Sequence, residues 1–241
     1  MKTNTFFKDS ALAALRGNWG KAVLAVLVYL FIGLAIAGPM GYTSIMMQDT
    51  LGTASFSSLS DAMEMVQDPE FMAAQKTANG VSSLTFLLEI FLLLPLEVAF
   101  LNIFRKLLVN GDTNMVGNLF NFSNYWKKVG GMLLVGILTF LWSLLFIIPG
   151  IIKAFSYAMT PFILDENPEL GASEAIHRSR MMMKNHKFDL FWLYLSFIGW
   201  FLLCCITCGI GFIWLTPYIN TAKASFYEEV KADYALNGGL D

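Results

Sequence analysis

Long apolar runs separated by short polar segments dominate the chain. The first uncharged run covers residues 22–40, and a second apolar run follows at residues 81–101 and ends shortly before Arg105. A helix needs about 20 residues to cross roughly 30 Å of hydrocarbon, because each residue advances the helix by about 1.5 Å. Each of these two runs therefore predicts a membrane-spanning helix.

Two further apolar stretches, each of about 36 residues, occupy residues 129–164 and 188–222. Proline and glycine interrupt them, which predicts helical hairpins with turns at residues 149–150 and near residues 208–211. Two full spans need roughly 40 residues, so short steep spans and re-entrant hairpins both remain open. We favour true spans, because a turn exposed to lipid would leave backbone groups unpaired.

The segment between the first two spans, residues 41–80, is polar. It holds five Asp and Glu residues against a single lysine, Lys76. Segments kept in the cytoplasm are enriched in Lys and Arg, and this one is not. We therefore predict that it is an extracytoplasmic insertion between the first two spans, within the hairpin of the first unit.

The apolar pattern repeats as three units, at residues 1–110, 111–165 and 166–230, followed by a cytoplasmic tail at residues 231–241. Each unit opens with apolar residues at helical spacing, which predicts an amphipathic helix. These residues are Leu12, Leu15 and Trp19 in the first unit, Met115, Val116, Leu119, Phe122 and Trp126 in the second, and Ala172, Ala175, Ile176, Ser179, Met182 and Met183 in the third. The predicted fold class is all-α: a multi-pass transmembrane helical bundle of six spans in one membrane domain, residues 1–241. The spans form three hairpins, each preceded by a cytoplasmic interfacial amphipathic helix.

Charge and composition give the predicted orientation and location. Fourteen of the sixteen Lys and Arg residues fall on one side of the apolar runs, the exceptions being Lys76 and Lys153. This bias predicts a multi-pass protein of the cytoplasmic (inner) membrane with both termini in the cytoplasm. Hydrophobic residues make up 56% of the chain and charged ones 14%, against about 25% charged in soluble domains. The start also resembles a secretory leader, but the uncharged run on to Met40 favours an uncleaved span.

Three ionisable residues lie inside the predicted spans: Glu89, Glu97 and Lys153. A charge at the centre of a spanning helix costs about 2.5–3.5 kcal/mol on insertion, so each should face the bundle or a wet cavity. They are candidates for a proton or cation relay or a substrate contact, and the alternative is a structural hydrogen bond or ion pair. Glu89 and Lys153 should lie at similar depth, which predicts a contact between them.

A basic face is predicted on the cytoplasmic side of the third unit. It comprises Arg178, Arg180, Lys184, His186 and Lys187. Such a face can bind anionic lipid headgroups or a membrane-protein partner, and it can also simply retain topology and seat the helix at the interface. The predicted partners are membrane lipids and a membrane protein. The net charge of -2 gives no reason to expect nucleic acid.

Cys204, Cys205 and Cys208 cluster near the last turn, and the latter two form a C-x-x-C. Packing of small apolar side chains is favoured over redox chemistry, a metal site or a passive disulfide, because no second C-x-x-C exists. Nucleotide-binding, nucleophile-elbow and zinc-protease motifs are all missing. We therefore predict no catalytic, cofactor-binding or metal-binding residue.

Several short motifs carry a resemblance to a known family. They read L-W-S-L-L-F-I-I-P-G-I-I-K-A-F-S-Y at 141–157, D-E-N-P-E-L at 165–170, S-E-A-I at 173–176, L-S-F-I-G-W at 195–200, and T-P-Y then F-Y-E-E within 216–229. Residues about 115–230 thereby resemble the bacterial membrane family called "domain of unknown function 975". Asn185 stands where the family pattern has glycine, and residues 41–80 do not resemble any part of it. The resemblance implies a multi-pass helical fold and no particular reaction.

These patterns favour a non-enzymatic membrane protein that organises lipids or membrane partners. The alternative is a small-solute or ion-coupled transporter that uses Glu89 and Glu97. A lipid-acting membrane enzyme is the third hypothesis, because Asp and Glu alone could support its chemistry.

Overall fold

The computed structural model describes residues 2–53, 63 and 66–237. These residues are predominantly helical and contain no strand. The helices are α1 Asn4–Leu15, α2 Trp19–Thr53, α3 Pro69–Leu88, α4 Leu94–Asn110, α5 Met115–Leu119, α6 Tyr125–Leu145, α7 Ile147–Tyr157, α8 Thr160–Glu166, α9 Ala172–Met182, α10 Lys187–Leu195, α11 Ile198–Ile206 and α12 Phe212–Leu236. A π-helical turn, Glu89–Leu93, joins α3 to α4. The all-α prediction is confirmed over this part of the chain.

Five helical stretches of the described chain are long and apolar enough to cross a membrane. They are Trp19–Ile45, Pro69–Asn110, Tyr125–Leu145, Ile147–Glu166 and Lys187–Ile206. The sixth predicted span would be the first part of α12. Its uncharged portion covers only residues 212–222, because five charged residues crowd the rest of that helix. Eleven helical residues extend about 16 Å, which is roughly half of the hydrocarbon thickness.

The chain forms two compact units. Unit 1 comprises Met1–Tyr29 and Leu94–Asp241, and unit 2 comprises Leu30–Leu93. Unit 2 holds the later part of α2, all of α3 and the π-helical turn. The predicted insertion at residues 41–80 belongs to it, and the ends of that insertion are helical, whereas residues 54–62 and 64–65 lie outside the described residues.

The prolines in the later helices occupy three different kinds of position. Pro95 is the second residue of α4 and follows the π-helical turn, where altered pairing absorbs its missing N–H. Pro161 lies in the first turn of α8, where the N–H has no partner to lose. Pro217 lies inside α12. All three prolines are buried.

The core of unit 1 forms where α4, α8 and α12 meet. Helix α4 packs against both α8 and α12, and α1 covers α12. Phe7 of α1 meets Phe226 of α12 edge to face, with ring centroids 5.4 Å apart. The buried face of α1 is Phe7, Ala11 and Leu15, spaced every four residues. Of the predicted apolar positions, Leu15 is buried and Leu12 is 43% exposed, and the predicted interfacial placement of the helix stays a prediction.

The hairpin of residues 129–164, called the first hairpin from here on, turns earlier than its Pro149 and Gly150 predict. Helix α6 ends at Leu145 and α7 begins at Ile147, so the break falls at Phe146, whose backbone is extended. Pro149 then lies in the first turn of α7, where proline costs little. Gly150 instead lets the two arms approach, because a Cβ there would lie 2.8 Å from the Ser143 Cα.

The hairpin of residues 188–222, called the second hairpin from here on, uses a similar close approach. Its turn lies at residues 207–211, as predicted, and contains Cys208 with a φ of 51° and Gly209 with a φ of 87°. A Cβ at Gly211 would lie 2.7 Å from the Cys204 Sγ. In both hairpins a glycine thus contacts the residue seven positions earlier in the chain.

Helix α9 buries the apolar face that its spacing predicts. Ala175, Ile176, Ser179 and Met182 are all buried. The helix packs against α6 and α8, so its apolar face is covered by protein.

Candidate functional site

The principal polar cluster of unit 1 forms around the last turn of α8. Asp165 and Glu166 are adjacent there, so their side chains point to different sides of the helix. Each meets cations from neighbouring helices. We call this cluster the ionic core. It comprises Arg105, Lys106, Lys128, Asp165, Glu166, Tyr227, Glu228 and Lys231.

Glu166 is the centre of one half of the ionic core. Its Oε1 accepts from Arg105 Nη1 at 2.8 Å and from Lys231 Nζ at 2.5 Å. Its Oε2 accepts from the Tyr227 hydroxyl. Arg105 also donates to Glu228 Oε1 at 3.3 Å. These bonds join α4, α8 and α12 through charge-assisted contacts.

Asn102 fixes Arg105 in place. Its Oδ1 accepts from Arg105 Nε at 3.1 Å, and its Nδ2 donates to the carbonyl oxygens of Val98 and Pro161, each at 2.9 Å. Asn102 is buried, at 1% exposed. A buried amide costs free energy unless it is satisfied, and this one makes three hydrogen bonds.

Asp165 holds the other half of the ionic core. Its Oδ1 lies 2.7 Å from Lys128 Nζ, and its Oδ2 lies 3.7 Å from Lys106 Nζ. The Lys128 side chain is only 1% exposed. A buried ammonium without a carboxylate would be costly, so this pair ties α6 to α8.

Tyr227 is a hydrogen-bond donor in this cluster. Burial raises the pKa of the Tyr227 phenol, and the neighbouring Glu166 carboxylate raises it further. Both causes disfavour the phenolate. The hydroxyl therefore stays protonated and donates to Glu166. The Tyr227 ring stacks on the Phe162 ring, with ring centroids 4.8 Å apart.

A small polar pocket opens beside Glu166. Its volume is about 210 Å³. Its lining residues are Ile163, Glu166, Asn167, Arg178, Met182, Tyr227 and Lys231. Arg178 Nη1 donates to Asn167 Oδ1 at 3.4 Å, near the outer limit for a hydrogen bond. Among the described residues, no carboxylate lies within 4.0 Å of the Arg178 guanidinium.

A larger cavity is apolar. It has a volume of about 460 Å³ and is lined only by aromatic and aliphatic residues of α7, α10, α11, α12 and the α10–α11 junction. We call it the apolar groove. Its lining includes Phe155, Phe191, Phe197, Ile198, Phe201 and Ile219. Lys8 of α1 lies beside it, with Nζ 4.6 Å from the Phe197 ring centroid and 2.7 Å from the Ser196 carbonyl oxygen.

The three predicted intramembrane residues belong to three different elements. Glu89 opens the π-helical turn in unit 2, whereas Glu97 and Lys153 belong to unit 1. Lys153 Nζ lies 4.4 Å from the Trp142 ring centroid, as a cation–π contact. The predicted contact between Glu89 and Lys153 stays a prediction.

Glu97 lies in the first turn of α4 and is half-buried. The Lys223 ammonium attracts the Glu97 carboxylate electrostatically. The Glu97 carboxylate in turn interacts electrostatically with the Tyr29 hydroxyl. Over the described part of the chain, the Glu97 side chain makes no hydrogen bond or ion pair. It lines neither of the two cavities above.

The predicted basic face divides into residues with different surroundings. Arg178 lines the polar pocket, and Arg180 and Lys184 are exposed. His186 lies between two carboxylates, with Nδ1 3.2 Å from Asp189 Oδ2 and Nε2 3.1 Å from Asp233 Oδ2. These contacts join the start of α10 to the end of α12.

Lys187, the last residue of the predicted basic face, begins α10 and is half-buried.

The three cysteines are free thiols, with Cys204 buried and Cys205 and Cys208 exposed. Cys204 packs against Gly211, as the packing interpretation expects. Within the described residues, no group of three or more His, Cys, Asp or Glu side chains is arranged to hold a metal ion.

Sequence reasoning did not identify the ionic core. Arg105, Lys106 and Lys128 were explained by membrane topology alone, although they neutralise carboxylates. The signal was present in D-E-N-P-E-L and F-Y-E-E, the motifs that carry the family resemblance and contain Asp165, Glu166 and Tyr227. Acidic residues directly after an apolar run needed a partner, and the basic residues just outside other runs could supply it.

Comparison with known proteins identifies a family. The model of the family described as "Protein of unknown function (DUF975)" matches residues 1–234. This range includes the first unit, beyond the 115–230 stretch that carries the recognisable motifs. Searches of curated proteins and of solved structures found no match. The chain belongs to the DUF975 family.

Proposed function

We propose that this protein is a non-enzymatic integral protein of the cytoplasmic membrane that holds membrane lipids at the cytoplasmic leaflet. One acyl chain would occupy the apolar groove. The single observation that carries the proposal is the lining of that groove, which contains no charged residue. A cavity of about 460 Å³ lies within the roughly 300–1,000 Å³ typical of ligand sites.

The position of Lys8 supports a lipid as the occupant. Its ammonium lies beside Phe197, a groove residue, so a cation and an apolar cavity are adjacent. Burial lowers the pKa of Lys8. An anionic headgroup nearby would favour the charged form and offset that burial. An amphipathic molecule with a negative head matches this combination better than a fully apolar one.

The surrounding surface supports a lipid environment. Leu144, Phe146, Ile147 and Ile148 at the first hairpin turn are each more than 70% exposed. Soluble monomers rarely expose contiguous apolar patches larger than a few hundred Å². A hydrocarbon solvent removes that cost.

Native mass spectrometry of the full chain, purified in mild detergent, tests the proposal. The wild-type protein should carry bound phospholipid, and Ile198→Trp, which fills the groove, should reduce the bound fraction several-fold. Ile206→Trp is the matched control, because Ile206 lies on the same helix, is 82% exposed and is outside the groove. Absence of bound phospholipid from the wild type, or equal retention by both variants, would refute the proposal.

Ion-coupled transport is the second candidate function, and Glu97 is the observation that favours it. A half-buried carboxylate inside a spanning stretch, with Lys223 acting on it at a distance, is the arrangement expected of a proton or cation relay. In proteoliposomes with an internal pH dye, Glu97→Gln should abolish any proton flux that the wild type shows. Equal fluxes in the variant and the wild type would exclude Glu97 from that role.

A further inference from the structure

The polar pocket beside the ionic core has an excess of positive charge. Two cations, Arg178 and Lys231, line it, against one carboxylate, Glu166. A site with this balance attracts an anion.

The Glu166 carboxylate lines the same pocket, so its charge has to be accounted for. Both of its oxygens accept hydrogen bonds, from Arg105 and Lys231 at one and from Tyr227 at the other. Glu166 therefore neutralises Arg105 and positions Lys231 and Tyr227.

The donors that remain point to the ligand. An ammonium has three protons, and Lys231 gives one of them to Glu166. The Arg178 guanidinium has five N–H groups, and within the described residues its one side-chain partner is Asn167, at 3.4 Å. A guanidinium matches the oxygens of a phosphate through paired hydrogen bonds.

The size of the pocket limits the ligand to a small group. A volume of 210 Å³ corresponds to about seven water molecules at roughly 30 Å³ each. Drug-sized ligands occupy roughly 300–1,000 Å³. A phosphate with a few attached atoms fits, and the Ile163 and Met182 side chains supply the apolar part of the wall.

We propose that this pocket binds a phosphate group, held between the Arg178 guanidinium and the Lys231 ammonium. The phosphate would come from a phospholipid headgroup or from a small soluble phosphate ester. The lipid source rests on the proposed function, whereas phosphate binding itself does not.

Isothermal titration calorimetry on the full chain in detergent separates the two sources. One arm titrates inorganic phosphate, and the other titrates mixed micelles containing phosphatidylglycerol, with micelles containing diacylglycerol as the phosphate-free control. Binding in the phosphatidylglycerol arm alone indicates a lipid phosphate, and binding in the inorganic phosphate arm indicates that a soluble ester can enter.

Variants of α9 test the pocket. Arg178→Gln should weaken phosphate binding about tenfold, the effect of losing one charge-assisted interaction. Arg178→Lys should be intermediate, because it keeps the charge and loses the paired geometry. Arg180→Gln is the matched control, since Arg180 is exposed on the same helix and does not line the pocket. The melting temperature of each variant checks that it folds.

Two results would overturn the inference: no binding by the wild type in either arm, or equal losses in Arg178→Gln and Arg180→Gln. The second result would assign binding to diffuse surface charge. Ile198→Trp distinguishes this inference from the proposed function, because it should block the groove and leave inorganic phosphate binding unchanged. If the wild type retains no lipid and still binds phosphate through Arg178, the groove proposal fails and the pocket stands.

Discussion

Lys128 and Asp165 form an ion pair of 2.7 Å in which the lysine side chain is 1% exposed and the aspartate side chain 9%. The pair links the start of α6 to the end of α8, so it joins both ends of the first hairpin. A buried ammonium loses its hydration, and the carboxylate offsets that loss only while both partners are present.

Removing one partner of this pair should strongly destabilise the protein. Lys128→Ala leaves Asp165 with only the more distant Lys106, and the expected loss is about 3–5 kcal/mol in the free energy of unfolding. Lys127→Ala is the control, because Lys127 is exposed and adjacent in sequence. Denaturant titration of the full chain in detergent measures both. Similar losses of unfolding free energy in the two variants would show that the buried ion pair stabilises the protein no more than an exposed lysine does.

Gly150 should resist substitution, whereas Gly136 should not. A Cβ at Gly150 would lie 2.8 Å from the Ser143 backbone, which a side-chain rotation cannot relieve. At Gly136 nothing lies within 4 Å. Gly150→Ala should lower the melting temperature. Gly136→Ala in α6 should raise it slightly, because alanine stabilises a helix by about 0.5–1 kcal/mol relative to glycine. An increase for Gly150→Ala would contradict the close packing of α6 and α7.

The stability of the wild type relative to Tyr227→Phe should depend on pH. The phenol pKa of Tyr227 is raised in the folded protein, above the ordinary value of about 10, by burial first and by Glu166 second. A raised folded-state pKa contributes stability that is fully present below pH about 10 and is lost as the pH rises above it. The wild-type melting temperature should exceed that of Tyr227→Phe at pH about 8, and the difference should shrink towards pH about 11. A constant difference would rule out this linkage.

His186 should be a structural clamp. Both ring nitrogens face carboxylates, at 3.2 Å from Asp189 and 3.1 Å from Asp233, so the imidazole joins α10 to α12. His186→Ala should lower the melting temperature of the full chain by a few degrees, because two partly exposed polar contacts are lost. His177→Ala, on the exposed side of α9, should change it little. Equal effects of the two substitutions would argue against the clamp.

Periodicity predicted those parts of the fold that depend on local pattern. The apolar runs became helices, and the buried face of α9 matches its spacing, because burial along one helix is set by residues three and four apart. The break at Phe146 was missed, since proline tolerates the first turn of a helix and so does not mark the turn itself. The pattern did not single out Phe7 and Ala11, through which α1 faces α12.

The ionic core could not be predicted from pattern alone. Arg105 and Tyr227 each lie 61 residues from Glu166 in the sequence. The three side chains meet only because α4, α8 and α12 pack together. Lys and Arg beside an apolar run satisfy the topology rule whether or not they have a carboxylate partner. The family motifs marked the acidic members, but a motif without a known reaction gave no role to them.

Photo-crosslinking tests the central claim, that the apolar groove holds a lipid chain, most directly. The full chain in membranes containing phosphatidylglycerol with a diazirine on its acyl chain would be irradiated, and the labelled residues would be mapped by mass spectrometry. The account predicts labels concentrated at Phe191, Phe197, Ile198 and Phe201, and their loss in Ile198→Trp. Labels spread evenly over the exposed apolar surface, unchanged by Ile198→Trp, would contradict it.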